Sequence, residues 1–156
     1  KRTVADKESL ASKKNTWYVE YIMKMDSSEI LPGVRSFLDE LRAAAIKVAL
    51  GSASKNAPTI LERVGLTDYF DVIVDGNLVS KAKPDPEVFA LAASLLGVTP
   101  RHAVVFEDAQ AGIEAALRAN MLTVGVGDPQ ILVGAHHVIP GFEAVNLQQL
   151  LAVLNN

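Results

Sequence analysis

The chain contains no cysteine among its 156 residues, which excludes a disulfide framework and a thiolate metal site. It also lacks an excess of one charge, because 15 basic and 18 acidic residues leave a net charge of -3. We therefore expect neither a nucleic acid nor an anionic membrane as partner. No apolar run approaches the length of a transmembrane helix. The absence of cysteine is compatible with a reducing cytosol, and we expect a cytoplasmic protein.

The composition is that of an ordinary globular domain, with 49% apolar and 21% charged residues. Apolar runs alternate with segments of three- and four-residue apolar spacing, which predicts strands alternating with amphipathic helices. Continuous apolar strands indicate a parallel sheet with helices on both faces, an α/β fold. The predicted strands are 46–50, 72–74, 103–106, 122–126 and a short edge strand at 138–139. The predicted helices are 6–25, one beginning at Pro32–Gly33, 58–64, 86–96, 110–119 and one capped by Asn146.

The first motif, the hexapeptide Gly51–Asn56, follows a predicted strand and precedes a predicted helix. In a parallel sheet, ligands bind beyond the carboxyl ends of the strands. The hydroxyl of Ser52, the loop N–H groups and the ammonium group of Lys55 suit a phosphate there. A polar strand-to-helix loop with Asn56 as its cap explains the same residues equally well on spacing alone.

The second motif, Glu107–Asp108, places two carboxylates directly after four apolar residues. Carboxylates in that position are costly unless they are solvated, protonated or coordinated. Mg²⁺ accepts one or two carboxylates together with phosphate oxygens and water. The alternative is that Asp108 caps the helix at Gln110, and one carboxylate can do both. Gly112, in the first turn of that helix, would let the backbone approach a ligand closely.

Between these motifs, Lys83 precedes Pro84 in a short loop. A proline restricts the residue before it, which limits where the lysine side chain points. A fixed ammonium group would neutralise a phosphate and a carboxylate together, although an isolated loop lysine is more commonly solvated. Phosphate ligands, a positive charge and a magnesium site are the parts of a phosphoryl-transfer centre.

These motifs together resemble a known family. Ser52 with its strand, Lys83–Pro84, and Glu107–Asp108 followed by Gly112 are similar to motifs two, three and four of the haloacid dehalogenase superfamily of phosphotransferases. Within that superfamily the chain resembles the β-phosphoglucomutase group. That closer resemblance rests on Gly51–Asn56, Leu31–Gly33, the stretch from Glu107 to Gly112, and Lys13–Asn15.

The resemblance implies a three-layer, Rossmann-like core with part of a helical cap domain. Residues 1–26 would be the C-terminal part of the cap, and 27–156 the core without its first strand. The expected activity is Mg²⁺-dependent conversion of β-glucose 1-phosphate to glucose 6-phosphate through an aspartyl-phosphate enzyme. The protein would then be an isomerase or a hydrolase of carbohydrate metabolism.

The resemblance also implies roles for matching residues. Ser52 and Ala53 would hold the transferring phosphoryl group, and Lys83 would bridge that group and the nucleophile. Glu107 and Asp108 would bind magnesium. The substrate's other phosphate would be bound by Ser54, Lys55 and Asn56. Lys14 would reach over the site from the cap, although on its own it is more typical of a solvated helix face.

One part of the family pattern is missing. Catalysis in this family begins with an Asp-x-Asp pair on a central strand, and no two aspartates here are separated by a single residue. We therefore expect the chain to be the C-terminal part of a longer enzyme and to be inactive alone. We also expect unpaired strand edges where the central strand would lie.

Three alternatives remain open from the sequence. A sugar-phosphate phosphatase of the same superfamily would share motifs two to four. A phospho-accepting signalling domain would use Asp108 as acceptor, although the order serine, lysine, acid argues against it. A non-catalytic module would bind phosphate or a partner chain without turnover.

Overall fold

The computed structural model of the protein describes residues 19–21, 33–52 and 55–155. They form an α/β fold of parallel strands and amphipathic helices, which confirms the predicted fold class. The strands are β1 (Val19–Tyr21), β2 (Ala49–Gly51), β3 (Val72–Val74), β4 (Val104–Glu107), β5 (Leu122–Val126) and β6 (His137–Ile139). The helices are α1 (Val34–Ala43), α2 (Ala57–Arg63), α3 (Glu87–Leu96), α4 (Gln110–Arg118) and α5 (Leu147–Leu154).

The strands pair in two hydrogen-bonded groups that share one layer. The first group has the order β1-β4-β5-β6 and the second is β2-β3, and every pair is parallel. β1 also lies beside β2. Leu50 of β2 and Phe106 of β4 enter the same apolar cluster, while Ala49 and Val105 enter the other one. Successive residues along β2, like those along β4, therefore point alternately to the same two faces of one sheet layer.

Helices cover both faces of this layer. Buried residues of α1, α2 and α5 form one apolar core with β4 and β5, and those of α3 and α4 form the second. The first core contains three aromatic rings, Phe37, Phe106 and Phe142, whose centroids lie 5.3 to 5.5 Å apart. Since both faces are buried, β2, β3 and the first three residues of β4 are consecutively apolar rather than alternating.

Local chemistry sets the end of α3 and the start of α5 as the sequence predicts. Gly97 ends α3 with a φ of 71°, a left-handed conformation that favours glycine. The Asn146 side chain accepts a hydrogen bond from the Gln149 N–H at 3.1 Å and so caps α5. The Asp85 carboxylate accepts from the Glu87 N–H at 3.0 Å at the start of α3.

The prediction of a helix over 6–25 is wrong at 19–21, where the chain forms β1. β1 pairs in parallel with β4, so the edge of β4 that we expected to be unpaired has a partner. An open edge of N–H and C=O groups is a ready template for an extended segment, and that tertiary pairing outweighs the four-residue apolar spacing in the sequence that predicted the helix. The rest of the predicted helix lies outside the part of the chain that the structure describes, and the domain division at residue 26 stays a prediction.

Two smaller differences concern side chains and boundaries. In α4 the buried residues are Gly112, Ile113, Ala115 and Ala116, whereas Leu117, which lies four residues after Ile113 and would share its face by apolar spacing, is only half-buried. β2 begins three residues later than predicted and β4 one residue later. Apolar spacing predicts that an element exists more reliably than it predicts the first and last residues of that element.

The aromatic cluster gives a stability test. Replacing Phe106 with alanine removes a fully buried ring that contacts both other aromatic rings, and should lower the free energy of unfolding by about 3–5 kcal/mol. Urea denaturation followed by circular dichroism measures the loss. Leu95→Ala is the control, because Leu95 is 53% exposed and its truncation should change the free energy by no more than about 0.5 kcal/mol. Equal effects of the two substitutions would contradict the described core.

Candidate functional site

Three strand ends meet at one edge of the sheet. The loop after β3 brings Lys83 to the end of β4, where its Nζ lies 3.1 Å from Oε2 of Glu107. β2 is parallel to β3, and the N–H of Ser52 donates to the carbonyl of Val74 at 2.8 Å. Ser52 therefore lies at the same edge of the sheet as the ion pair, as the sequence predicts for the carboxyl ends of parallel strands.

The Glu107 carboxylate is the buried anchor of this edge. Its side chain is 1% exposed, and its Oε2 atom accepts from Lys83. Its Oε1 atom accepts from the backbone N–H groups of Asp108 at 3.1 Å and Ala109 at 3.2 Å. Burial raises the pKa of the Glu107 carboxyl above its ordinary value, although the Lys83 ammonium group works in the opposite direction. Because Asp108 and Ala109 directly precede α4, the carboxylate that accepts from their N–H groups lies at the N-terminal end of that helix.

Gly112 makes room for that carboxylate. A Cβ atom built on Gly112 would lie 1.9 Å from Cδ of Glu107 and 2.0 Å from its Oε2. No side chain fits at this distance without displacing the carboxylate. The glycine was expected to admit backbone close to a ligand, whereas the structure shows that it admits the side chain of Glu107.

Lys83 is held on two sides. Its side chain is 13% exposed, its ammonium group pairs with Glu107, and its Nζ lies 4.8 Å from the ring centroid of Phe89 on α3. A cation over an aromatic face is stabilised by the ring quadrupole. The sequence alone does not reveal this contact, because a lysine from another loop leaves no signal in the apolar spacing of α3.

Asp108 has a different setting from its neighbour. It is half-buried and borders a cleft of about 810 Å³. The position before α4 is Ala109, with no side-chain cap, so the alternative of Asp108 as a helix cap is wrong. Within residues 33–52 and 55–155, no group of three or more acidic, histidine or cysteine side chains is placed to hold a metal ion. A cation here would have to rely on one or two carboxylates and on ligands from outside these residues.

The cleft is formed mainly by the C-terminal part of the chain. Apart from Asp108, it is lined by Val126, His137, the segment from Ile139 to Asn146, and three residues of α5. Among the predicted site residues that the structure describes, Asp108 alone contributes to its wall. Neither Ser52 nor Lys83 lines this cleft, so Asp108 is the described link between the cleft and the predicted site.

The phosphate motif is described in part. Ser52 is half-buried, and Lys55 and Asn56 are exposed at the start of α2. Asn56 occupies the N-cap position of α2, but its side chain makes no capping hydrogen bond. The predicted roles of Ala53, Ser54 and Lys14 fall outside the described residues.

One further residue ties the neighbouring loop to the site. The Gln110 side chain donates from Nε2 to the carbonyl of Val133 at 2.9 Å and accepts from the Val133 N–H at 2.8 Å. This reciprocal pair fixes the loop after β5 beside the start of α4. The sequence gives no sign of it, because the partner lies 23 residues further along the chain.

Comparison with known proteins identifies the family. Residues 3–120 match the family model of the haloacid dehalogenase-like hydrolases. The chain belongs to that family, which confirms the resemblance found in motifs two to four. In the described part of the chain, none of the helices is long and apolar enough to cross a membrane.

Among the relatives, the chain is 41% identical to β-phosphoglucomutase from Bacillus subtilis (strain 168) over 150 residues, covering 96% of the chain and 66% of that protein. It is also 41% identical to fructose-1-phosphate phosphatase from Escherichia coli (strain K12) over 104 residues, covering 67% of the chain and 55% of the phosphatase. The crystal structure of β-phosphoglucomutase from Clostridium difficile superposes with a TM-score of 0.78 at 39% identity, covering 81% of this chain and 56% of that one. The chain thus spans about half to two thirds of the length of these proteins.

The fit of Gly112 against Glu107 can be tested by substitution. Gly112→Ala should lower the free energy of unfolding by at least about 2 kcal/mol, because the added methyl group overlaps a fully buried carboxylate. Gly141→Ala is the control, since a Cβ atom there meets nothing within 4 Å and should change the free energy by less than about 0.5 kcal/mol. Urea titrations of both variants give the comparison. A Gly112→Ala variant as stable as the wild type would show that Glu107 does not lie where the structure places it.

Proposed function

We propose that these residues form the phosphoryl-binding and metal-binding part of a Mg²⁺-dependent phosphotransferase that acts on sugar phosphates. One observation carries the proposal: a buried lysine–glutamate pair lies at the sheet edge that also holds Ser52 and Asp108. The identity to β-phosphoglucomutase over nearly the whole chain supports isomerisation of β-glucose 1-phosphate to glucose 6-phosphate as the activity.

In this proposal, the Ser52 hydroxyl and the Ala53 N–H each donate a hydrogen bond to the transferring phosphoryl group. Lys83 neutralises the phosphoryl oxygens from one side while its partner Glu107 keeps the ammonium group in place. Ser54, Lys55 and Asn56 hold the second phosphate of a bisphosphate, and Lys14 reaches the substrate from a cap that includes residues 1–26. Donors fixed in advance stabilise the charge that develops during phosphoryl transfer.

The carboxylates fit a magnesium ion of the kind that phosphotransferases use. Asp108 is half-buried, and Mg²⁺ is commonly held by one or two carboxylates with substrate phosphate and water completing its shell. Asp108 and Glu107 would hold the ion, which would supply charge neutralisation to the phosphoryl oxygens. Asp108 is the more direct ligand in this proposal, because both oxygens of Glu107 already accept hydrogen bonds.

The nucleophile is assigned to a segment that is not among these 156 residues, since they contain no Asp-x-Asp pair. An aspartate carboxylate from that segment would attack phosphorus and form an acyl phosphate, while the bond from phosphorus to the sugar oxygen breaks. In a mutase a hexose hydroxyl then accepts the phosphoryl group, and in a phosphatase water does so. The match to a fructose-1-phosphate phosphatase supports the phosphatase as the second candidate.

Phosphate binding is the first test. The chain should bind inorganic phosphate in the presence of MgCl₂, measured by isothermal titration calorimetry, and more weakly when MgCl₂ is replaced by EDTA. Ser52→Ala should weaken binding about 10- to 100-fold, because a hydrogen bond to a charged group contributes about 1.5–3 kcal/mol. Ser94→Ala, an exposed serine on α3, is the matched control and should not change the affinity. Equal affinities for Ser52→Ala and the wild type would contradict the phosphate role.

Catalysis is the second test. The purified chain should not hydrolyse acetyl phosphate or isomerise β-glucose 1-phosphate, because it offers no aspartate pair for covalent transfer. Measurable turnover that disappears with Asp108→Asn would contradict this and favour Asp108 as a phospho-acceptor. In a longer polypeptide that combines these residues with an Asp-x-Asp segment, the ratio of isomerised to hydrolysed product separates the mutase from the phosphatase.

A further inference from the structure

The loop that carries Lys83 is closed at its base by one carboxylate. Glu87, the first residue of α3, accepts hydrogen bonds at Oε1 from the N–H groups of Ser80 and of Lys81, the latter at 3.3 Å. Its Oε2 atom accepts from the Ser80 hydroxyl at 3.0 Å. These bonds join the two ends of residues 80–87, and Lys83 lies between them.

Glu87 is itself held in place. Its N–H donates to the Asp85 carboxylate at 3.0 Å, and α3 packs against both β2 and β3. The same helix carries Phe89, whose buried ring lies under the Lys83 ammonium group. Helix α3 therefore supports the lysine twice, by a direct contact and by closing its loop.

The hydrogen bonds from the loop are accepted by an ionised Glu87 carboxylate. Donation from the Ser80 N–H, and next from the Lys81 N–H, lowers the pKa of the Glu87 carboxyl below its ordinary value. The carboxylate is therefore ionised at neutral pH, and hydrogen bonds to an ionised acceptor are stronger than those between neutral groups. Three donors from the preceding loop therefore converge on this one carboxylate.

We propose that Glu87 is a positioning residue for Lys83: by closing the loop over 80–87, it sets the place of the ammonium group against Glu107. Within the proposed function, on which this part of the inference rests, a displaced ammonium group would bind the phosphate less tightly. Glu87 itself has no contact with the phosphate in this scheme and acts through Lys83.

The test uses Glu87→Ala and Glu87→Gln in the whole 156-residue chain, with Glu62→Ala as the control because Glu62 is an exposed glutamate near the end of α2. Amide hydrogen exchange, followed by NMR, reports on the Ser80 and Lys81 N–H groups. Exchange at both should be at least about tenfold faster in Glu87→Ala, and intermediate in Glu87→Gln, whose neutral amide retains one acceptor. Unchanged exchange in Glu87→Ala would overturn the inference.

A double-mutant cycle tests whether the effect passes through Lys83. Glu87→Ala should weaken Mg²⁺-dependent binding of inorganic phosphate about tenfold in the wild-type chain but less than about twofold in a Lys83→Met background. A tenfold loss in both backgrounds would overturn the inference, because a role in general loop stability does not require Lys83. Should Lys83→Met not fold, Lys83→Gln takes its place in the cycle.

The two proposals fail separately. If the wild-type chain does not bind phosphate, the proposed function is wrong, and the exchange rates of Ser80 and Lys81 still decide whether Glu87 closes the loop. If phosphate binds but Glu87→Ala changes neither the exchange rates nor the affinity, the proposed function stands and Glu87 is not a positioning residue.

Discussion

The ion pair between Lys83 and Glu107 is the constraint on which the site depends. A carboxylate that is 1% exposed is costly unless it is paired and hydrogen-bonded, and it obtains both from Lys83 and from the first N–H groups near α4. The pair joins the loop after β3 to the end of β4, so it requires that these strands end at the same edge. It also requires Gly112, since any side chain there would occupy the space of the carboxylate.

Under the proposed function, the same pair gives the two adjacent acids different roles. Glu107 faces inward, where it fixes a positive charge, whereas Asp108 borders the cleft and is accessible to a cation. A phosphotransferase needs both, because a mobile ammonium group would lose much of its advantage in stabilising phosphoryl oxygens. Phe89, and Glu87 in its proposed positioning role, lie on α3, a helix packed on the sheet.

Much of the fold could be predicted from sequence because both cores leave regular patterns. β5 has the predicted bounds, and Asn146 and Gly97 mark helix ends by their own chemistry. The pattern failed at 19–21, where pairing with β4 overrides a helical spacing. In the site, strand ends could be predicted to gather Ser52, Lys83 and the acids. The ion pair of Glu107 with Lys83 could not be predicted, nor could the hydrogen bonds that Glu87 and Gln110 make to neighbouring loops. These interactions join separate elements, and apolar spacing does not encode such contacts.

The most direct measurement uses Mn²⁺ in place of magnesium, since a paramagnetic ion broadens the NMR signals of nearby groups. With inorganic phosphate present, we expect the amide signals of Ser52, Lys83 and Asp108 to broaden together, because one bound ion and its phosphate would lie among all three. The amide of Asn120 should stay sharp, because it precedes β5 and lies at the amino-terminal ends of the strands. Broadening confined to Asp108 and its neighbours, with Ser52 and Lys83 unaffected, would contradict a shared phosphate and metal site.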